Sequence, residues 1–319
     1  MFFERLIKTL SILIVIFLFG YGAYLSFSIF FWQDIYKELP VQERTIKIIN
    51  SETGKEKEVV YRKQALRNNE PFTFLILGTD SENIEKGRSD SIMLAVVEPK
   101  KNTINLLSIP RDTWVLNKAT GKNDKITHAF NHGVSNTVDT IENYLQIPIN
   151  YYALINMNGF IKMINTIGGL DITVEKEMQF YDRITNKYVK LTPGKQHLNG
   201  NETINYARFR GDGEGDFGRN RRQRQVIVEL IKQTTEFQNL KNINKLTGIL
   251  EDSFRTNVKS STIPLFLKQL KYDDSLVVNQ IELKGIPARE GKMSVVKVND
   301  SDRIKVTTEL QKKLGLTAE

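Results

Sequence analysis

The sequence predicts an α/β fold, a three-layer α/β/α domain around a central mixed sheet, preceded by one N-terminal transmembrane helix. Three observations predict it. Residues 74–77, 92–97 and 104–109 are short apolar runs bounded by turn residues, the pattern of strands buried on both faces. Strand-like and helix-like stretches then interleave through the rest of the chain. Residues 10–31 carry no charge and are dominated by Leu, Ile, Val and Phe. At about 1.5 Å per residue that run is long enough to cross a hydrocarbon core of about 30 Å.

The apolar runs carry polar clusters at their ends: Gly78-Thr79-Asp80, Gly87-Arg88-Ser89-Asp90 and Pro110-Arg111-Asp112. Strand tips are where sheet proteins place their chemistry. Two carboxylates, Asp80 and Asp90, and two arginines, Arg88 and Arg111, in those tips suggest a metal and a phosphate. The competing reading is ordinary solvated turns between core strands.

Composition narrows the classes. With 319 residues and 40% hydrophobic content, the chain can bury a sizeable core. Cys is 0, which excludes disulfides, zinc–thiolate sites and a cysteine nucleophile. The formal charge is +8, of which Arg5 and Lys8 against Glu4 place +1 before residue 32 and leave +7 for the remainder. That excess suits an anionic partner: nucleic acid, lipid headgroup or an anionic polymer.

Arg5 and Lys8 precede the apolar run, and Asp34 and Glu38 follow it. The asymmetry favours a cytoplasmic N-terminus and an extracellular remainder. A cleaved signal peptide is the alternative, but the run is long for one and no clear A-x-A site follows. The chain therefore divides into a cytoplasmic tail (1–9), a signal-anchor helix (10–31), an extracellular stem (32–70) and one extracellular domain (71–319). Within the stem, residues 44–50 and 57–62 flank Thr53-Gly54 as a short hairpin.

Further elements follow in order. Residues 134–145 place Val138, Ile141 and Leu145 at helical spacing, and 151–155 read as a strand. Residues 157–167 form a helix with Phe160, Ile161, Ile164 and Ile167 on one face, closed by Gly168-Gly169. A strand at 170–174, a mixed stretch at 175–200 and a helix at 201–209 lead to the loop Gly211-Asp212-Gly213-Glu214-Gly215-Asp216. A strongly basic helix starts at Arg219 and runs through Val226, Ile227 and Leu230 toward Leu240. The tail reads as a helix at 263–270, a strand at 278–283 and a helix at 302–314.

The acidic loop fails as a calcium loop, because Phe217 and Gln223 stand where an EF-hand needs Gly and Glu. Asp216 instead suits the N-terminus of the basic helix. A charge run is ordinarily a solvated face. Here Arg219 and Gln223 share a face at i, i+4, Arg222 is adjacent, and Arg208 and Arg210 approach from the preceding segment. Arginines converging on a loop–helix junction call for an anion, and Arg is suited to bidentate phosphate contacts. Asp80 and Asp90 fit Mg²⁺, which takes one or two carboxylates and completes its shell with water and phosphate oxygens. His128 and His132 have no third ligand and read as polar loop residues. No Walker A, G-x-G-x-x-G or G-x-S-x-G motif is present.

Four runs in this order, LGTDS…GRSDSIMLAVVEPKKNTINLLSIPRDTWV, KITHAF, GKQHLNGNETINYARFR and GDFGRNRRQRQV, resemble the LytR–CpsA–Psr family of cell-envelope proteins. The likeness spans most of residues 72–238. It implies an extracellular phosphotransferase domain that moves an anionic glycopolymer, such as wall teichoic acid or capsule, from an undecaprenyl-pyrophosphate carrier to peptidoglycan. By motif, Asp80 and Asp90 take the place of the family's aspartates for Mg²⁺ (or Mn²⁺). Arg88, Arg111, Arg208, Arg210, Arg219 and Gln223 take the place of its pyrophosphate-binding set, with Asp90, Arg111 and Arg88 in catalytic roles. The family's lipid tail enters an apolar tunnel, whose lining the sequence does not assign; Phe160, Ile164 and Ile167 read as ordinary core. The implied partners are the lipid-linked glycopolymer, peptidoglycan and membrane lipid, with no nucleic acid.

The expected chemistry is direct in-line transfer, with fixed guanidinium groups and a metal stabilising charge on the phosphoryl oxygens. The general base is unassigned, with Asp90 a candidate. Three rivals stand beside it: a nucleic-acid-binding regulator using residues 219–224, a non-catalytic envelope polymer-binding module, and a pyrophosphatase of the lipid carrier.

Overall fold

The computed structural model describes residues 34–39, 44–49, 56–61, 69–182, 186–234, 250–270 and 275–316. The expected membrane span, residues 10–31, lies outside them. Among the described residues no helix is long and apolar enough to cross a membrane.

Strands β1 (Arg44–Ile49) and β2 (Glu56–Tyr61) form the expected antiparallel hairpin. It is folded onto the domain. Ile46 and Ile48 are buried, as are Ile35 and Leu39 before them. Lys47 donates its N–H to Gln146 and accepts from the Gln311 amide, at 2.9 and 2.7 Å.

Three long strands follow: β3 (Phe72–Thr79), β4 (Ser89–Glu98) and β5 (Thr103–Ser108). Next come β6 (Trp114–Asn117) and β7 (Lys122–Lys125), a 3-10 turn at Ile126–His132, helix α1 (Gly133–Leu145), β8 (Tyr151–Asn156) and α2 (Met157–Thr166). Strands β9 (Leu170–Val174), β10 (Met178–Asp182), β11 (Lys187–Leu191) and β12 (Gly194–Leu198) precede α3 (Gly200–Arg208) and α4 (Gly215–Thr234). The remainder holds β13 (Phe254–Thr256), α5 (Ile263–Gln269), β14 (Val277–Glu282), β15 (Ile286–Glu290), β16 (Met293–Lys297) and α6 (Asp300–Lys313).

Six strands make the central sheet, in the order β13-β8-β3-β4-β5-β14. It is mixed: β3 is parallel to β8 and β5 to β14, while β4 runs antiparallel to both neighbours. Alternation along the strands sorts side chains onto two faces. Leu75 and Leu77 of β3 and Ile92, Leu94 and Val96 of β4 pack with Val138, Ile141 and Leu145 of α1 and Val306 and Leu310 of α6. On the opposite face, Phe72, Ala95, Val97, Ile104 and Leu106 meet Ile227, Val228 and Ile231 of α4 and Ile263 of α5. Helices thus cover both faces, which is why these strands are apolar on both sides.

A third apolar cluster joins Phe160, Ile164, Leu170, Met178, Leu191, Tyr206 and Val226. It binds α2, α3, α4 and the small paired strands β9–β12 and β10–β11 into one flank of the domain. Local signals explain its helix starts. Asn156 caps α2 by accepting from Gly159 N–H at 2.8 Å. Asn199 and Glu202 form a reciprocal capping box at α3, at 3.0 and 2.9 Å. Within the mixed stretch 175–200 the short strands are held by this cluster rather than by strong periodicity.

Candidate active site

Strand direction brings the polar tips to one edge. Because β3, β5 and β8 run one way and β4 the other, the C-terminal ends of β3, β5 and β8 lie beside the start of β4. Adjacent strands sit about 4.8 Å apart. Asp80 follows β3, Asp90 is the second residue of β4, Arg111 follows β5, and Asn156 ends β8.

The β3–β4 ladder is irregular at this edge. Gly78 pairs with Ser91, but Thr79 pairs with Ser89. Asp90 is therefore the surplus residue of a β-bulge, a device that re-aims a side chain at a sheet edge. Gly78 leaves the room this needs, since a Cβ there would stand 3.1 Å from Ser91 Cβ.

Asp90 Oδ1 accepts a hydrogen bond from Arg111 Nη1, forming an ion pair with both side chains about a third exposed or less. Behind it Asp112 pairs with Lys125 at 2.8 Å. On the far side Gln223 of α4 accepts from the Ser91 hydroxyl at 3.1 Å, linking helix to sheet edge.

The arginine-bearing junction between α3 and α4 is built around Arg222, whose side chain is 0% exposed. Its Nε reaches Glu175 at 3.0 Å, Nη1 the Phe209 carbonyl at 2.9 Å, and Nη2 the Asp212 carboxylate. The guanidinium also lies 5.2 Å from the Phe209 ring centre. The Tyr206 hydroxyl sits 2.8 Å from Glu175 and 2.7 Å from Gln225. Burial alone would raise the Glu175 pKa. Hydrogen bonds from its own backbone, Tyr206 and Arg222 outweigh that and hold it below the usual carboxylate value. Asp212 behaves alike: burial opposes, while Lys176 and Arg222 prevail and lower it. Lys176 and Arg221 bind Glu214 as well, so Asp212 and Glu214 of the acidic loop are committed to cations of the protein itself.

Inside this frame lies a cavity of about 360 Å³. Asp80, Asp90, Arg111, Arg208, Arg210, Arg219 and Gln223 line it. Four guanidinium groups against two carboxylates leave it cationic. Lining residues become apolar away from the edge. Two pairs down the ladder, on the same face, Ile76 and Met93 lie opposite each other behind Gly78 and Ser91. Along α4, Arg219 and Gln223 give way to Val226 and Ile227. Ile155, Met157, Phe160, Ile204 and Ala207 complete the apolar half. A charged mouth therefore opens into an apolar interior.

Seven of the eight residues that the family resemblance assigned to the site line this one cavity. The exception is Arg88, which is exposed on the turn before β4 and does not line it. Arg219 is 6% exposed, whereas Arg208 and Arg210 are exposed at the surface. Arg208 Nη1 lies 2.8 Å from Met157 Sδ. Arg222, grouped with the anion-binding arginines in the sequence reading, is instead the buried strut of the junction; its charge is matched by Glu175 and Asp212. Ser91 and Asn156 belong to the site and carried no motif of their own. Phe160 is both core and cavity wall, while Ile164 and Ile167 stay in the core. His128 pairs with Asp124 at 2.8 Å, in keeping with a polar loop role.

The donor set suits a hard cation. Asp80 and Asp90 offer oxygen ligands, and no group of three or more His, Cys, Asp or Glu residues gathers among the described residues. Asp80 and Asp90 are the residues that would hold an ion such as Mg²⁺, which takes one or two carboxylates and fills its shell with phosphate oxygens and water.

Comparison with known proteins agrees with this architecture. A family model described as the LytR_cpsA_psr family matches residues 35–313. The polyisoprenyl-teichoic acid–peptidoglycan teichoic acid transferase TagU of Bacillus licheniformis is 32% identical over 317 residues, covering 98% of this chain and 97% of the relative. The crystal structure of B. subtilis TagV superposes with a TM-score of 0.68 at 33% identity, covering 79% of this chain and all (100%) of that one. A structure of the LytR-CPS2A-psr family protein YwtF (TagT) with bound octaprenyl pyrophosphate lipid superposes with a TM-score of 0.64 at 29% identity, covering 79% of this chain and 94% of that one. With a matching family model over most of its length, and the mixed sheet and edge cavity in place, this chain belongs to the LytR–CpsA–Psr family.

Proposed function

We propose that this protein is a phosphotransferase that moves an anionic glycopolymer, wall teichoic acid, capsule or a similar polymer, from an undecaprenyl-pyrophosphate carrier to peptidoglycan. The observation that carries the reading is the two-part cavity: four guanidinium groups at its mouth and an apolar interior behind them. A polyprenyl pyrophosphate has the same division, a strongly anionic head on a hydrocarbon chain. The transferase name of the TagU relative and the octaprenyl pyrophosphate in the TagT structure support it.

In this reading Arg111, Arg208, Arg210 and Arg219 hold the pyrophosphate, with Gln223 adding a polar contact. Arg88 joins them as an exposed cation two residues before Asp90. A glycan hydroxyl oxygen attacks the phosphorus that carries the polymer. The phosphoanhydride P–O bond breaks, the polyprenyl monophosphate leaves with the bonding pair, and the hydroxyl proton is released. Charge accumulates on the phosphoryl oxygens, where preoriented guanidinium groups in a low-dielectric cleft stabilise the transition state most. Asp90, by accepting from Arg111, sets the direction of one such group. Asp80 and Asp90 are the residues that would hold Mg²⁺ or Mn²⁺; such an ion, when bound, neutralises phosphate oxygens.

A lipid carrier also fits a membrane-tethered domain. The proposal includes a cytoplasmic tail at 1–9, a span at 10–31 and a catalytic domain outside the membrane.

Full-length protein in lipid vesicles, supplied with lipid-linked polymer and a glycan acceptor, tests the function. Covalent polymer–glycan product is expected, dependent on added Mg²⁺. Release of free polymer phosphate with no glycan adduct would establish the pyrophosphatase instead. Protease treatment of intact cells tests the topology, since a protected C-terminal domain is incompatible with it.

A further inference from the structure

Asp90 and Arg111 stand on separate strand ends, and the β4–β5 ladder does not reach them. The last β4–β5 pair is Met93 with Ser108, followed by one hydrogen bond from Ile109 N–H to Ile92 O at 2.9 Å. Beyond it the two strands no longer pair, and Asp90 lies in the β3–β4 bulge. Pairing with β3 holds Ser89 and Ser91 on either side of Asp90, but no β4–β5 pair sets the relation between this carboxylate and this guanidinium.

One buried residue reaches both segments. Thr127 lies in the 3-10 turn Ile126–His132 and is 3% exposed. Its backbone N–H donates to the Arg111 carbonyl at 3.1 Å. Its hydroxyl donates to the Ser89 carbonyl, immediately before Asp90, at 2.9 Å. The neighbouring Ile126 N–H donates to the Thr113 carbonyl at 2.8 Å, so the turn is already anchored to the Arg111 segment.

We propose that Thr127 is a positioning residue for the transfer reaction, whose hydroxyl fixes the Asp90 bulge against the Arg111 segment and so sets the Asp90–Arg111 pair. The inference rests on the proposed role of that pair. Backbone contacts hold Thr127 to Arg111 whatever its side chain. Only the hydroxyl holds it to Ser89. Valine has nearly the same shape without the donor, and serine keeps the donor without the methyl group. Buried carbonyls with a lost donor draw their surroundings out of place. A misplacement on the order of 1 Å at a reacting centre costs up to about 100-fold in rate.

The test compares Thr127→Val and Thr127→Ser in the full-length protein. Thr127→Val is expected to lower kcat for transfer by about 10- to 100-fold while KM for the lipid-linked polymer stays within about twofold. Thr127→Ser is expected to retain kcat within about threefold. The Arg111 Nε–Hε resonance in NMR should shift in Thr127→Val and keep its wild-type position in Thr127→Ser. That resonance is read without turnover, so it judges the staple even if transfer itself is not the reaction. Wild-type kcat and an unmoved resonance in Thr127→Val would overturn the proposal. So would a Thr127→Ser protein as impaired as Thr127→Val, which would assign the effect to methyl packing. If Thr127→Val does not fold, the serine variant decides: a native resonance upholds the hydroxyl, and a displaced one overturns it.

Discussion

Asp90 accepts a hydrogen bond from Arg111 across a sheet edge where the two strands no longer pair. The contact fixes the Arg111 guanidinium at the wall of the cavity it lines, with Asp112 Oδ2 3.9 Å from its Nε. Arg111→Ala is expected to lower kcat for polymer transfer by about 10²- to 10³-fold, the usual loss when one preorganised donor is removed. Circular dichroism should show an unchanged fold, because Arg111 is a partly exposed residue. Near wild-type kcat in this variant would remove it from the clamp.

Arg222 predicts the opposite behaviour. Its side chain is 0% exposed and it meets two carboxylates and a carbonyl. Arg222→Met leaves Glu175 and Asp212 without that cation and is expected to destabilise the protein by about 3–5 kcal/mol in urea unfolding. An unfolding midpoint equal to wild type would show that the junction does not depend on it.

The same network sets an acid limit. Glu175 and Asp212 have folded-state pKa values below their unfolded ones. Groups shifted down contribute stability that is complete above the unfolded pKa and is lost as pH falls through the folded pKa. Unfolding free energy is therefore expected to decline as pH drops below the ordinary carboxylate range. The decline should be shallower in Glu175→Gln, measured by denaturant titration at a series of pH values. Identical slopes would assign the acid sensitivity elsewhere.

The apolar half of the cavity gives a chain-length prediction. Ile204 is half-buried in its wall, so a polar replacement there spares the deep core. Ile204→Gln is expected to weaken binding of a long polyprenyl pyrophosphate by about 1–3 kcal/mol. Binding of inorganic pyrophosphate should be unchanged. Calorimetry with the two ligands separates the outcomes, and equal losses for both would show that the wall does not meet the lipid.

Much of the site was legible because its residues sit beside strong local signals. Asp80 and Arg111 flank apolar runs that could only be buried strands, and Arg219 and Gln223 share a helical face. Strand pairing was not legible: nothing local says that β4 lies between β3 and β5, which is what brings the three tips together. Arg222 illustrates a second limit. One residue from Gln223, it looks like a fellow anion ligand, and only the position of Glu175, 47 residues away, makes it internal. The apolar wall was hidden for a related reason. Ile76 and Met93 are indistinguishable by type from core residues such as Leu75 and Leu94, and only the packing of α3 and α4 leaves space beside the first pair.

The bulge at Asp90 sets foldability and chemistry against each other at a single codon. The surplus residue is the one the sheet needs least, since without it Ser89 could continue the pairing begun at Ser91. Losing codon 90 would give a more regular strand and, on the proposed function, take away the carboxylate that orients Arg111, a trade between stability and activity. Selection for solubility or heat resistance alone would tolerate that loss, whereas selection for polymer attachment would remove it.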